Sequence, residues 1–292
     1  MRKLIFILFT IPLFFFIGCN KKEKNIQKPS EELIAIYVQN QKYDFQDIII
    51  LGKVIGDSIE KITDWDDNKA DYVVNRKPYL EKYSKYFINQ DKVVQQITID
   101  EIISKDFQCS PLTVGHSNKF HLSIKNEFSL ATNDSNFKNL LNDNIINLDS
   151  KSLNIVKSKL LNAFKDKEID ITSGFDNNFN EVYKPLDIDI LQSVDLNGDS
   201  VEEVLVKATV GNIYERNTVL LVFNITEDYI KEVGEIDSWS NGYNLIGVTD
   251  FNNNGIYELV FQGVGYESIG FEIYEIQDNG FKRLLNTVPY GC

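Results

Sequence analysis

Histidine is scarce: 292 residues hold two, His116 and His121, both within "HSNKFH". No third ligand pattern stands near them, which argues against a zinc site built from several N and S donors. No G-x-S-x-G is present, and neither is a phosphate-cradling glycine loop or a dinucleotide fingerprint. Positive charge is also short, with 30 Lys and Arg against 43 Asp and Glu and a formal net charge of −13. Nucleic-acid binding through counterion release needs a basic footprint, so the chain is not expected to take a nucleic-acid partner. What is plentiful is apolar and aromatic content, 43% and 12%. With many Val and Ile, that composition points to a core rich in β structure.

The one long apolar run lies at the start, "MRKLIFILFTIPLFFFIGCN". Arg2 and Lys3 make a positive leader and Leu4 to Ile17 an apolar stretch too short to span a bilayer comfortably. The end, Phe16-Ile17-Gly18-Cys19, resembles a lipobox, with Phe16 where Leu is usual. The resemblance implies cleavage of residues 1–18, lipid on Cys19, and anchoring at the periplasmic face or surface of a bacterium. An uncleaved anchor is the alternative reading. Loss of Arg2 and Lys3 would take the net charge from −13 to −13 − 2 = −15. Such a surface repels anionic lipid, which leaves attachment to the lipid alone. Residues 19–31 then read as a flexible, Lys-rich tether. Cys109 and Cys292 remain, in a disulfide-permissive compartment, as a possible pair.

Residues 32–186 read as a β-rich region. "ELIAIYV", "QDIIILGKVI", "KVVQQITI" and "KFHLSI" have strand length and β-branched content. "RKPYLEKYSKYF" (76–87) reads as a short helix or an aromatic loop. The spacing of Leu153, Val156, Leu160 and Phe164 predicts a helix over 150–166, capped by Asp149 or Ser150. "SNFKNLLNDNIINL" (135–148) suggests a weaker second helix.

Beyond 186 the chain repeats itself. "DLNGDSVEEVLV" (195–206) aligns with "DFNNNGIYELVF" (250–261), and "VFNITEDYIKEV" (222–233) with "IYEIQDNGFKRL" (273–284) after a four-residue gap. Residues 187–292 therefore predict two four-stranded antiparallel units of about fifty residues, blade-like in size. In each, alternate oxygen-bearing residues sit on a short loop: Asp195, Asn197, Asp199 and Glu203, then Asp250, Asn252, Asn254 and Glu258. With a backbone carbonyl from Val201 or Ile256, such a loop offers the hard oxygens that Ca2+ prefers. The same residue types also make Asx-turns between strands without an ion.

Val206 and Phe261 stand where an EF-hand needs a bidentate Glu, so the loops are of another type. They resemble the Asp-rich calcium loops of FG-GAP/VCBS-type repeats, the blades of integrin-like β-propellers. Ser200 departs from the glycine of that pattern, and Asn252 and Asn254 leave the second loop with fewer charges. The resemblance implies a mostly β, propeller-like C-terminus with structural Ca2+ and a binding role towards a protein or glycan. Trp65, Trp239 and Tyr243 are the aromatic candidates for such a surface. The competing reading is an exported hydrolase with an acidic cleft or a site around Ser58. Gly56-Asp57-Ser58-Ile59 resembles the nucleophile block of GDSL-type esterases, but no D-x-x-H supplies the histidine that a serine needs.

Overall fold

The computed structural model describes residues 31–40, 45–62, 76–90, 92–107, 110–118, 127–141, 147–167, 174–175, 181–182, 186–210, 217–226, 229–236, 242–264, 268–278 and 280–291. The first 30 residues, Trp65, Cys109, His121, Trp239 and Cys292 lie outside them, and so do the leader, the lipidation and the disulfide readings.

The first sheet is built from β1 (Glu32–Asn40), β2 (Phe45–Ile55), β3 (Ser58–Lys61), β4 (Lys85–Gln90), β5 (Val93–Thr98), β6 (Glu101–Phe107), β7 (Ser110–His116) and β8 (Phe128–Thr132). Their spatial order is β5-β4-β8-β1-β2-β7-β6, with β3 hairpinned onto β2. Helix α1 (Lys77–Lys82) precedes β4 and α2 (Ser150–Asp166) follows the sheet. A two-residue pair, β9 (Gly174–Phe175) with β10 (Glu181–Val182), comes next.

The two repeats each form one antiparallel meander, as their alignment predicts. β11 (Leu186–Val194), β12 (Glu203–Val210), β13 (Asn217–Ile225) and β14 (Ile230–Glu235) make the second sheet. β15 (Gly242–Thr249), β16 (Glu258–Val264), β17 (Ser268–Gln277) and β18 (Gly280–Gly291) make the third. Even their irregularities correspond. Register shifts pass over Leu191 in the second sheet and Ile246 in the third, residues fifty-five apart like the loops. A second shift follows Val222 and Ile273, the positions matched after the gap.

The sheets stack in the order first, third, second. Ile34, Ile36, Ile49 and Leu51 of the first sheet meet Val260, Phe271 and Ile273 of the third. The opposite face of the third, Leu259, Phe261 and Tyr274, meets Leu205, Leu220 and Val222 of the second. Because strand residues alternate sides, a strand buried on both faces is apolar at every step. That is the origin of the unbroken runs "LIAIYV" (33–38) and "LVF" (259–261). Among the described residues the stack stays open and does not close into a ring.

Each end of the stack is covered. The outer face of the second sheet takes Val156, Leu160 and Phe164 of α2. The outer face of the first sheet takes Leu80 of α1. Asp149 caps α2 as expected, accepting from the N–H groups of Lys151 and Ser152. The buried stripe differs by one position from the sequence reading: Ser152 is buried, whereas Leu153 is 39% exposed. The Ser152 hydroxyl also donates to Asp149 Oδ2 at 2.6 Å, which turns that residue inward. No helix forms over the described part of the second helical candidate, residues 135–141. Its Leu140 N–H donates to Val248 O at 2.8 Å and its Asn139 Oδ1 accepts from Val248 N–H at 3.0 Å, so the segment borders β15.

Asn133 fixes the start of β1. Its Oδ1 accepts from Leu33 N–H at 2.7 Å and its amide donates to Glu31 O at 2.8 Å. Between the second and third sheets the backbones nearly touch, since a Cβ on Gly234 would lie 2.9 Å from Gly280 Cα. Backbone cannot yield as a side-chain tip does. Gly234→Ala should therefore lower stability by about 1–3 kcal/mol in urea melts, while Gly242→Ala, which meets nothing within 4 Å, should leave the midpoint nearly unchanged.

Candidate functional site

The sequence motif becomes two tight loops between the first and second strands of each meander. In the first, Asp195 Oδ1 accepts from the N–H groups of Gly198 at 2.8 Å and Asp199 at 3.1 Å, and Oδ2 from Ser200 at 2.9 Å. Asn197 Oδ1 accepts from Asp199 N–H at 2.9 Å and Asp199 Oδ1 from Val201 N–H at 2.8 Å. The second loop repeats the scheme. Asp250 accepts from Asn254 and Gly255, Asn252 from Asn254, and Asn254 from Ile256. The side chains at loop positions 1, 3 and 5 thus curl the backbone around themselves, as the Asx-turn reading predicts.

Sharp curling needs left-handed residues at positions 4 and 6. In the first loop these are Gly198 (φ 75) and Ser200 (φ 70); in the second, Asn253 (φ 59) and Gly255 (φ 85). Each copy keeps one glycine, at opposite positions. Ser200 holds its place with a backbone bond to Asp195 but bears the steric cost of that region.

Glu203 and Glu258 have a role that spacing alone did not reveal. Both are buried at the first residue of a strand. Glu203 Oε2 accepts from Leu196 N–H at 2.7 Å, and Glu258 Oε2 from Phe251 N–H at 2.9 Å. Each carboxylate therefore closes its loop by tying the end back to the beginning. The other oxygen of each, Oε1, is buried without a hydrogen-bond partner. Burial raises both carboxyls, and for Glu258 the push reaches about 8. The Phe251 N–H opposes that push, while the charges of Asp250 and Glu275 add to it.

The two loops touch one another. Tyr257 N–H donates to Leu196 O at 2.8 Å, and a Cβ on Gly198 would stand 3.5 Å from Gly255 O. On its far side the second loop reaches the turn between β2 and β3, where Asn252 Nδ2 donates to Asp57 O at 3.4 Å. One rim of the stack thus carries three neighbouring turns: the two Asp- and Asn-rich loops and the Gly56-Asp57 turn.

For a hard cation the residues fit in one respect: two buried carboxylate oxygens, Glu203 Oε1 and Glu258 Oε1, lack the partner that burial demands. Asp195, Asn197 and Asp199 would supply further oxygens in the first loop, and Asp250, Asn252 and Asn254 in the second. Among the described residues no three His, Cys, Asp or Glu side chains converge as a metal-holding group, so any such site depends on amide and carbonyl oxygens as well.

The other sequence candidates separate. Tyr243 is no surface aromatic: it is 1% exposed, and its hydroxyl donates to the buried Glu272, which also binds Arg283 at 2.9 Å. Ser58 pairs with Ile55 on β2, whereas His116 pairs with Asp47 on the same strand. Eight residues of strand separate them, about 26 Å at roughly 3.3 Å per residue. His116 Nδ1–H instead donates to Asp47 Oδ1 at 2.9 Å, while Lys105 Nζ donates to Asp47 Oδ2 at 2.6 Å. This polar clasp sits where β7 meets β2 through only two residue pairs, Asp47 with His116 and Ile48 with Gly115. Its sequence signal was the lone Asp47 at the head of an apolar run.

No family model, curated protein or solved structure matches the chain.

The raised carboxyl of Glu258 has a measurable consequence in calcium-free buffer. Its folded value of about 8 lies above the unfolded 4.5, so the folded state holds that proton longer. Stability from this group is full below pH 4.5 and is lost as pH rises towards 8, with a limiting slope of about 1.4 kcal/mol per pH unit. Glu258→Gln should flatten that part of the stability profile measured by denaturant melts. An unchanged slope would assign the pH dependence to other groups.

Proposed function

We propose that the chain is an exported, lipid-anchored binding module whose C-terminal repeats are FG-GAP/VCBS-like blades braced by Ca2+. Anchoring rests on the lipobox-like residues ending at Cys19, with residues 19–31 as the tether. The folded part would then stand at the periplasmic face or cell surface of a bacterium and meet a protein or glycan. Among the described residues no helix is long and apolar enough to cross a membrane.

The observation that carries this reading is the pair of matching loops, each curled by the same hydrogen bonds and lying side by side on one rim. A duplicated rim of that kind supports binding, because it offers one surface made by several turns on a stiff scaffold. The chemistry Ca2+ would supply is neutralisation of clustered carboxylates and of the two unpartnered glutamate oxygens. The first loop offers three carboxylates, Asp195, Asp199 and Glu203, against two in the second, Asp250 and Glu258. Higher ligand charge favours the first.

Two measurements test the two halves of the reading. At free calcium a hundred times the dissociation constant, a ligand specific to the folded state stabilises by about 2.7 kcal/mol. For a chain of this length that is roughly a 5–10 °C rise in melting temperature. Asp195→Asn should remove most of the rise and Asp250→Asn little of it; no rise in the unmutated protein would leave the loops as plain turns. Separately, labelling with a fatty-acid analogue should mark the unmutated chain in its native host and not Cys19→Ala. Label retained in that variant would rule out Cys19 as the acceptor.

A further inference from the structure

The two rim loops share a chemical feature besides their carboxylates. Each contains an asparagine followed at once by glycine, Asn197-Gly198 in the first and Asn254-Gly255 in the second, and all four residues are exposed. Glycine has no Cβ to obstruct its own nitrogen, so in such a pair the backbone N can approach the Cγ of the preceding amide. The chain holds two more such pairs, but their asparagines, Asn241 and Asn279, lie outside the described residues.

In both loops the groups that such an attack needs are held in the same way. The N–H of Gly255 donates to Asp250 Oδ2 at 3.0 Å, and Asn254 Oδ1 accepts from Ile256 N–H at 2.7 Å. In the first loop Gly198 N–H donates to Asp195 Oδ1 at 2.8 Å, and Asn197 Oδ1 accepts from Asp199 N–H at 2.9 Å. A carboxylate bonded to the attacking N–H is placed to take its proton as general base. An N–H bonded to the amide oxygen stabilises the negative charge that gathers there during attack. Space is open as well, since a Cβ on Gly255 would meet nothing within 4 Å.

We propose that Asn254 and Asn197 are sites of self-catalysed deamidation, each loop converting its own amide to an acid. At Asn254, the nitrogen of Gly255 gives its proton to Asp250 and bonds to Asn254 Cγ. The Cγ–Nδ2 bond then breaks, and the departing nitrogen takes the proton from Asp250 and leaves as ammonia. The cyclic imide that remains takes up one water. Opening at Cγ gives aspartate, and opening at the backbone carbonyl gives isoaspartate. The net change is amide plus water to acid plus ammonia, without oxidation or reduction. Asn197 follows the same course with Gly198 and Asp195.

Each conversion adds a negative charge to the rim. Aspartate at position 254 repeats Asp199 of the first loop, so the second loop reaches the three carboxylates of the first. A stronger calcium response of the second loop then follows. That consequence rests on the function proposed above, whereas the reaction itself does not.

The test incubates the full-length chain in detergent and calcium-free, mildly alkaline buffer, with peptide mass spectrometry at intervals. Fragments containing Asn197 and Asn254 should gain the mass of an amide-to-acid exchange, with isoaspartate among the products. Asn253, exposed in the same loop but followed by Asn254 and not by glycine, should not gain it. Asp250→Asn keeps an oxygen acceptor and removes the base, and should slow conversion at Asn254 about tenfold, the worth of one hydrogen bond to a charged group. Asn197 in the same molecule should keep its rate, which shows that the variant is folded. No gain at either position in the folded chain would overturn the proposal, with conversion of the same chain in urea as the check on conditions. So would an equal gain at Asn253, or an unaltered rate at Asn254 in Asp250→Asn.

Discussion

Burial of the third sheet on both faces is the constraint from which the rest follows. Its central strands β16 and β17 have no solvent side, so every side chain on them must be apolar or must find a partner. The apolar positions divide cleanly between the two neighbours: Val260, Phe271 and Ile273 face the first sheet, and Leu259, Phe261 and Tyr274 the second. Close approach on each side then requires small residues at the contact, such as Gly247 against Leu130 and Gly234 against Gly280. An open stack leaves its two outermost faces uncovered, and helices α1 and α2 cover them. That arrangement explains how three stacked antiparallel sheets persist without closing into a ring among the described residues.

The same burial sets the electrostatics of the rim. Glu258 begins β16, within the most enclosed sheet, and Glu203 begins the corresponding strand of the second sheet. Each is held by one backbone N–H, which is too little to offset removal from water. The carboxyls rise as a result, burial being the larger cause in both, with like charge adding to it from Asp195 and Asp199 at Glu203 and from Asp250 and Glu275 at Glu258. A loop that is tightly bonded internally yet leaves one buried oxygen without a partner is stable as a corner and still poised for a cation. Glu272 shows the alternative solution. It lies equally deep, but a tyrosine hydroxyl and the guanidinium of Arg283 satisfy it.

Much of this was legible in the sequence, and the exceptions have physical causes. Strands β1 and β2 of the first sheet showed through because burial on both faces writes an unbroken apolar run, whereas β3, β4 and β6 to β8, which lack one, did not. The two meanders showed through because duplication preserved spacing, even to the bulges at Leu191 and Ile246. Helix α2 was legible in extent and in the burial of Val156, Leu160 and Phe164; only in the first turn do the Asp149–Ser152 bonds turn Ser152 inward in place of Leu153. Residues 135–141 have helical apolar spacing, yet their hydrogen bonds go to β15, a partner more than a hundred positions away. The Asp47 clasp was out of reach for the same reason, its members being 58 and 69 positions apart. Tyr243 illustrates a further limit: aromatic residues suited to a binding surface are equally suited to a core, and only the fold distinguishes them.

The placement of β1 bears on how the molecule meets force. β1 follows Glu31 directly and lies in the interior of the first sheet, between β2 and β8. Tension applied ahead of that point runs along β1 and is shared by nine paired positions on one side and five on the other. All of those bonds are loaded together in shear, whereas a strand at an edge lets them part in succession. Asn133 and the ion pairs of Glu31 with Lys82 and Lys53 take the first of the strain. Pulled from that side, the first sheet resists through the whole length of β1 at once.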